Sequence, residues 1–361
     1  MMRIIDIIIV SLLLMIMSWS TGCGDPIQPK PKGPVWQAFK GPDKPLRNNH
    51  VNAILTTRSG QTWICTDSGV TFYEKGSWGS IVDSVSYLFY THDDSFIQAR
   101  VTSITLGKDG SLWFGTGGGG IRRYFQYAQS TGIRWITYRF PVISSNVISG
   151  LTCENVVNGD VWAATPLFGV DRFIPSANDP IFGEWRNYTA ADVPDFQSNQ
   201  IFAVSVNLND YSIWVSSVFN LVMFFNDIIG WRAYPTAVQY GYTIISMSFD
   251  LSNNLWVGKI DGAAKLDRYR SWTYYTNSTT GGNLPAGPVN AVTTDLYHTR
   301  WFGTTQGLAR YRDTSWTVFS RSNSPLLLSD TITSLAYDYK GNLWIGTSNG
   351  INIYNESGTT F

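Results

Sequence analysis

The chain has 361 residues, enough for one large repetitive domain or two modest ones. Charged residues make up only 14% of it and aromatic residues 15%, which excludes a disordered polymer, an acidic tail protein and a solvent-exposed coiled coil. Lys plus Arg and Asp plus Glu both number 26, so no basic field exists to hold a phosphate backbone, and nucleic acid is not an expected partner.

Met1 to Arg3 give a short cationic start, and Ile7 to Met17 form an apolar run broken only by Ser11, too short to span a bilayer comfortably. Ser18-Trp19-Ser20-Thr21-Gly22-Cys23 follows and resembles the lipobox of bacterial lipoproteins, with Ser20 where leucine is typical. The resemblance implies a signal peptide over residues 1–22, lipidation of Cys23, and a chain held at the outer membrane of the cell envelope through its lipid alone. A plain cleaved signal with an incidental cysteine is the alternative. The stretch DPIQPKPKGP (25–34) reads as a stiff, extended tether within the segment 23–34. No later stretch is apolar for the length that a membrane helix needs.

Beyond the tether, Trp36-Gln37-Ala38-Phe39 stands alone, and behind it the tryptophans count a repeat. Trp63, Trp113, Trp162, Trp214, Trp256, Trp301 and Trp344 share one pattern (TWICT, LWFGT, VWAAT, IWVSS, LWVGK, RWFGT, LWIGT) at spacings of 50, 49, 52, 42, 45 and 43. A second series, Trp36, Trp78, Trp135, Trp185, Trp231, Trp272 and Trp316, is followed three positions on by an aromatic or aliphatic residue. Every tryptophan outside the leader is thereby used, two to a unit in seven units.

The last unit shows the order of elements most clearly. A strand from Ile332 to Tyr337 leads through a turn (Asp338 to Asn342) to a second strand (Leu343 to Thr347), and Asn349-Gly350 then turns into a third (Ile351 to Tyr354). The W-x-x-F/Y segment, as in Trp316-Thr317-Val318-Phe319, opens a fourth. No sustained helical period runs through the mature chain. The expected fold is all-β, a seven-bladed β-propeller of four-stranded antiparallel sheets over residues 35–361. Leu343, Trp344 and Ile345 make both faces of a second strand apolar, and radial packing covers both faces of every sheet. The seventh unit has no W-x-x-F/Y strand of its own, so residues 35–40 are expected to complete it and close the ring. Thr359 to Phe361 forming a poor fourth strand is the alternative.

Two further slots follow from this frame. Gly115, Gly258, Gly303 and Gly346 stand two residues after a second-strand tryptophan, with Cys65, Ala164 and Ser216 in the same place, all small where a ring of sheets crowds. Cys65 and Cys153 fall in non-adjacent units and read as buried small hydrophobes, not a bridge.

The pattern G-x-L-W-I-G-T-x-x-G-I/L-x-x-Y, carried by Gly341 to Tyr354, Asp109 to Thr116 and Thr304 to Tyr311, resembles the two-component regulator propeller repeat. Units three and four, with VWAA and IWVS, are degenerate copies. The family occurs in the extracytoplasmic sensor half of bacterial hybrid sensor kinases, especially those linked to glycan uptake. The resemblance implies a sensor-like binding propeller outside the cytoplasm. The β-sandwich, membrane helix and kinase that usually follow are not part of the pattern here, so the expectation is a stand-alone lipoprotein.

Catalytic signals are thin. His50, His92 and His298 lie outside metal-ligand spacing of one another or of a cysteine, and the four glutamates, Glu74, Glu154, Glu184 and Glu356, are scattered. No catalytic set, metal site or cofactor is expected. Asp250 to Asn254 and Asp338 to Asn342 resemble fragments of a calcium loop, but they occupy the hairpin slot that Arg58-Ser59-Gly60-Gln61 fills elsewhere. Gly117 to Gly120 has no helix behind it to make a phosphate cradle.

Loops from second to third strands, and from each fourth strand to the next first strand, emerge on one common face. They supply the candidate ligand-binding residues Asp67, Phe168, Phe219, Asn220, Lys259, Asp261, Gln306 and Asn349, with Asn49, His50, Arg100, Asn146 and Gln200 at the lead-in positions. Planar aromatics beside Asn, Gln, Arg and Asp suit sugar faces and hydroxyls, while a solvated rim accounts for the same residues without a ligand. The insertion Val82 to Gln98, with Tyr87-Leu88-Phe89-Tyr90, is either a lid or partner contact, or an extra strand on the first sheet. The expected function is a lipid-anchored, non-catalytic envelope module that binds a glycan, peptide or protein partner on its loop face. A propeller lyase or hydrolase, and a scaffold that docks a sensor complex through the insertion, are the alternatives.

Overall fold

The second strands are buried, as their apolar runs require; Thr62–Thr66, Leu112–Thr116 and Asn342–Thr347 are buried at every position, and in Arg300–Thr304 only Arg300 is half-buried. In the computed structural model, which describes residues 33–41, 46–80, 100–125, 135–154, 158–218, 221–224, 227–234 and 243–358, they sit inside seven four-stranded antiparallel sheets. Blades 1 to 6 cover residues 51–80, 101–138, 150–188, 201–234, 244–275 and 289–319, each laid down in chain order from inner to outer strand. The inner strands of successive blades touch all the way round, and that of blade 7 (Ile332–Tyr337) lies against that of blade 1 (Val51–Thr56). The molecule is a closed seven-bladed β-propeller.

Closure occurs where the unpaired W-x-x-F segment pointed. Val35–Phe39 is the outer strand of blade 7, antiparallel to Gly350–Asn355, with Trp36 opposite Tyr354. The Trp36 ring lies 4.8 Å from that of Tyr354 and 5.6 Å from Phe319 of blade 6. The leader, most of the tether, residues 81–99 and Thr359 to Phe361 lie outside the described residues.

Local chemistry fixes the turns. The residue three before each second-strand tryptophan has positive φ in all seven blades: Gly60, Gly110, Gly159, Tyr211, Asn253, His298 and Gly341. His298 is thus a turn residue. Asp250 and Asp338 accept the backbone N–H groups of their own turns and, at 2.9 Å, the indole Nε1–H of Trp256 and Trp344. Their carboxylates serve the hairpin and the indole, the reading expected for these loops. On the opposite face, the threonine that ends the second strand donates to the carbonyl of the glycine that opens the third, as in Thr66 to Gly69 and Thr347 to Gly350.

The small-residue slot has a direct steric cause. A Cβ on Gly346 would stand 2.2 Å from Ser334 Oγ and 2.7 Å from Val51 of the next blade, and one on Gly258 would stand 2.2 Å from the Val289 carbonyl. Cys65 and Cys153 are free and buried; desolvation pushes Cys153 up to about 12 and Cys65 higher still, so both remain thiols.

Candidate functional site

The loop face is assembled by backbone bonds between neighbouring blades. The N–H of Gly350 donates to the Asn49 carbonyl, that of Gly120 to Asn146, and that of Gly169 to Asn199, tying second-to-third turns to the lead-in of the next blade. Deeper along the axis, side chains stitch one blade to the next. Thr102 donates to the Ile148 carbonyl, Ser149 to Ile201, Ser216 to Ile244, Asn290 to Ile332, and Thr333 to Val51.

Asn52 holds the position in blade 1 that Thr102, Asn290 and Thr333 hold in theirs, but its amide turns elsewhere. Its Nδ2 donates to Asp67 Oδ1 at 2.9 Å, and its Oδ1 meets His50 Nδ1 at 3.1 Å. His50 Nδ1 is also 3.5 Å from Asp67 Oδ2, and Arg100 Nε of blade 2 is 3.4 Å from Asp67 Oδ1. An amide, an imidazole, a carboxylate and a guanidinium therefore converge at the junction of blades 1 and 2. Side-chain exposures of 36% for His50, 38% for Asp67 and 61% for Arg100 keep the group open to solvent. With Asn52 Oδ1 as acceptor, the imidazole carries its proton on Nδ1. Asn48 supports the lead-in by accepting the His50 N–H at 2.7 Å and donating to Ser68 Oγ. The cluster can accept hydroxyl protons at Asp67 and donate to carboxylate or carbonyl oxygens from Arg100.

Three of the residues singled out from sequence, His50, Asp67 and Arg100, are thus joined through their side chains, while Asn49 uses its carbonyl to tie blade 7 to blade 1. Asn349 lies beside Gly350, with its own N–H on Thr347 and its amide 3.4 Å from the Leu328 carbonyl. The others make contacts within their own sectors. Phe168 is half exposed, its carbonyl accepting from Asn187. The Gln306 N–H donates to Thr304, and the Gln200 N–H to Ser198. Lys259 departs from the loop-face expectation: it is only 5% exposed, its ammonium 3.4 Å from Asp261 and 5.2 Å above the Tyr274 ring. Phe219, Asn220, His92 and Cys23 lie outside the described residues. Asn52 was missed because, inside the strand-like run VNAILT, a lone polar residue reads as ordinary alternation.

A buried charge set lies at the opposite ends of the sheets and is structural. The Arg172 guanidinium sits 4.9 Å from the Trp162 ring and 5.0 Å from Phe224, and pairs at 2.6 Å with both Asp160 and Asp227. That pairing holds Asp227 below the usual carboxylate range, while burial raises Asp160. Among the described residues, no group of three or more His, Cys, Asp or Glu side chains gathers as a metal ion would require.

The fold and this junction define a class: a seven-bladed propeller with a polar, solvent-open cluster on its loop face. Residues 95–118 and 326–349 match the family model of the two component regulator propeller, the repeat already apparent in the tryptophan pattern. Among solved structures the chain is similar to the extracellular domain of BT3049 from B. thetaiotaomicron, a protein assigned to the hybrid two component systems (TM-score 0.68, 16% identity, 89% of this chain and 41% of that one). It therefore spans about two fifths of that structure's length. It is also similar to virginiamycin B lyase from Staphylococcus aureus (TM-score 0.64, 14% identity, 89% and 99% covered) and to PorZ, a surface component of the type-IX secretion system of Porphyromonas gingivalis (TM-score 0.63, 17% identity, 88% and 48% covered). At these identities the likeness is one of fold. A search of the curated proteins gives no match.

Proposed function

We propose that this protein is a non-catalytic binding module of the cell envelope, anchored through Cys23, which receives a glycan, peptide or protein partner on its loop face at the junction of blades 1 and 2. The observation that carries the reading is the His50–Asn52–Asp67–Arg100 cluster, where Asn52 serves an open polar group while its counterparts stitch blades together. Preorganised donors and acceptors around a half-exposed carboxylate are what recognition of polar groups requires. The propeller's likeness to an extracellular sensor domain supports an envelope location.

The test is a glycan and peptide array probed with the native chain and with Asp67→Asn and Arg100→Ala. Each substitution is expected to weaken captured binding by about tenfold or more, the worth of one hydrogen bond to a charged group. Unchanged capture by both variants would remove the site. A lyase reading is favoured by one feature, an imidazole and a guanidinium on a single carboxylate, on a fold that also builds a lyase. Turnover of an array hit that disappears in His50→Ala would replace binding with catalysis.

A further inference from the structure

Across the sheet from each second-strand tryptophan stands one third-strand residue, and in four blades it is cationic: Arg123 opposite Trp113, Arg172 opposite Trp162, Lys265 opposite Trp256, and Arg310 opposite Trp301. Each places its charge 4.7 to 6.0 Å from that indole. Arg123, Arg172 and Arg310 also reach the following blade, at the Ile181 carbonyl, Asp227 and Glu356 respectively. The cation therefore plugs the groove between adjacent blades at the ends away from the loop face. Three blades lack the cation: Phe72 stands opposite Trp63 in blade 1, Ile353 opposite Trp344 in blade 7, and Met223 opposite Trp214 in blade 4.

At that junction, between blades 4 and 5, the structure has a cavity of about 340 Å³. Trp214, Met223, Tyr234, Phe249, Leu255 and Leu266 form its wall, and the turn residues Asn207, Asp210, Asn253 and Asp267 line its edge with Ile229. Three arginines, Arg232, Arg268 and Arg270, complete the lining, and all three are exposed. Among the described residues none of them forms a salt bridge; Arg268 bonds the Tyr269 hydroxyl and Arg270 lies 5.1 Å from the Tyr234 ring. Asp210 and Asp267 are occupied by their own turns, accepting from Ser212 and from the N–H groups of Tyr269 and Ser271. A second cavity, of about 290 Å³, lies beside Trp344, opposite the uncharged Ile353.

We infer that the groove between blades 4 and 5 binds a small acid, a six-membered ring bearing one carboxylate, held by its ring on the Trp214 and Tyr234 wall and by its carboxylate on Arg268, Arg270 or Arg232. An apolar wall, ring-sized volume and guanidinium groups that form no salt bridge among the described residues are the complement of that ligand. A uronic acid at the end of a glycan and an aromatic acid present the same chemistry. The site is on the face opposite His50 and Arg100, so its fate is independent of theirs.

The experiment is calorimetric titration of the full chain with the methyl glycoside of galacturonate and with 4-hydroxybenzoate, each against its neutral counterpart, methyl galactoside or 4-hydroxybenzamide. One acid is expected to bind, at least about tenfold more tightly than its neutral counterpart, and to weaken with added salt. Met223→Arg introduces the cationic plug that blades 2, 3, 5 and 6 carry and is expected to abolish binding without lowering the melting temperature. Arg268→Gln with Arg270→Gln, both at exposed positions, is expected to cost about tenfold or more. Failure of both acids to bind at millimolar concentration overturns the inference, as does equal binding of a neutral counterpart or full binding by the folded Arg268→Gln, Arg270→Gln chain. Binding of one acid but not the other identifies the source.

Discussion

Glu154 follows the inner strand of blade 3, Gly150–Cys153, and is 9% exposed, beside Asp160, Asp227, Arg172 and Lys108. Burial first, and then the charge of Asp160, push its carboxyl from an ordinary 4.5 to about 7, against the pull of Arg172 and Lys108. The folded state thus holds this proton more tightly than the unfolded chain. Its contribution to stability is complete below about 4.5 and is lost as pH rises through about 7. Asp227 and Asp250, held low, act in the other direction, contributing above the ordinary carboxylate range and failing as pH falls through their folded values. Glu154→Gln is expected to remove the decline in melting temperature between about 4.5 and 7 while leaving the acid limb in place, as thermal melts across pH would record. An unchanged profile would mean that another group titrates there. None of this was legible beforehand: Glu154 follows SGLTC in sequence, and nothing near it in the chain shows that Arg172 and Asp227 would face it.

At the scale of the element, the turn before the second strand explains the aspartate, glycine and tryptophan order of blades 2 and 7. In blade 7, Asp338 accepts from the N–H groups of Lys340 and Asn342, from the Asn342 amide and from the Trp344 indole, while Gly341 supplies the left-handed backbone. Asp338→Ala leaves the indole N–H of Trp344, a residue only 2% exposed, without its acceptor, and is expected to cost about 1–3 kcal/mol in chemical denaturation. A loss within error would mean that water or a shifted neighbour satisfies the indole. This element was readable because all its partners lie within six positions of one another. Met223 was not: in the strand Leu221–Phe224 it reads as one more core residue, and its meaning comes from comparison with Arg123, Arg172 and Arg310 at equivalent places in space. Lys259 is the converse, a charge that looked available in sequence and is buried on Tyr274 and Asp261.

For the whole molecule, closure concentrates in one strand. Val35–Phe39 covers the edge of Gly350–Asn355, and Trp36 packs across to Phe319 in blade 6. Trp36→Ala is expected to cost about 3 kcal/mol and to lower the melting temperature of the entire ring, since an opened seventh sheet exposes an unpaired edge. A local change with unaltered global unfolding, measured by denaturant titration, would show that the ring holds without this strand. The number of blades, the closing strand, the small slot at Gly346 and the turn role of Asp250 and Asp338 were determined by the amino-acid sequence alone, because each rests on a pattern that repeats along the chain and is satisfied by near neighbours. Only the tertiary structure decided that His50, Asn52 and Asp67 meet Arg100, and that a groove opens beside Trp214. Those meetings depend on how one twisted sheet faces the next, and residues 50 and 100, or 214 and 268, come together through that packing and not through any local period.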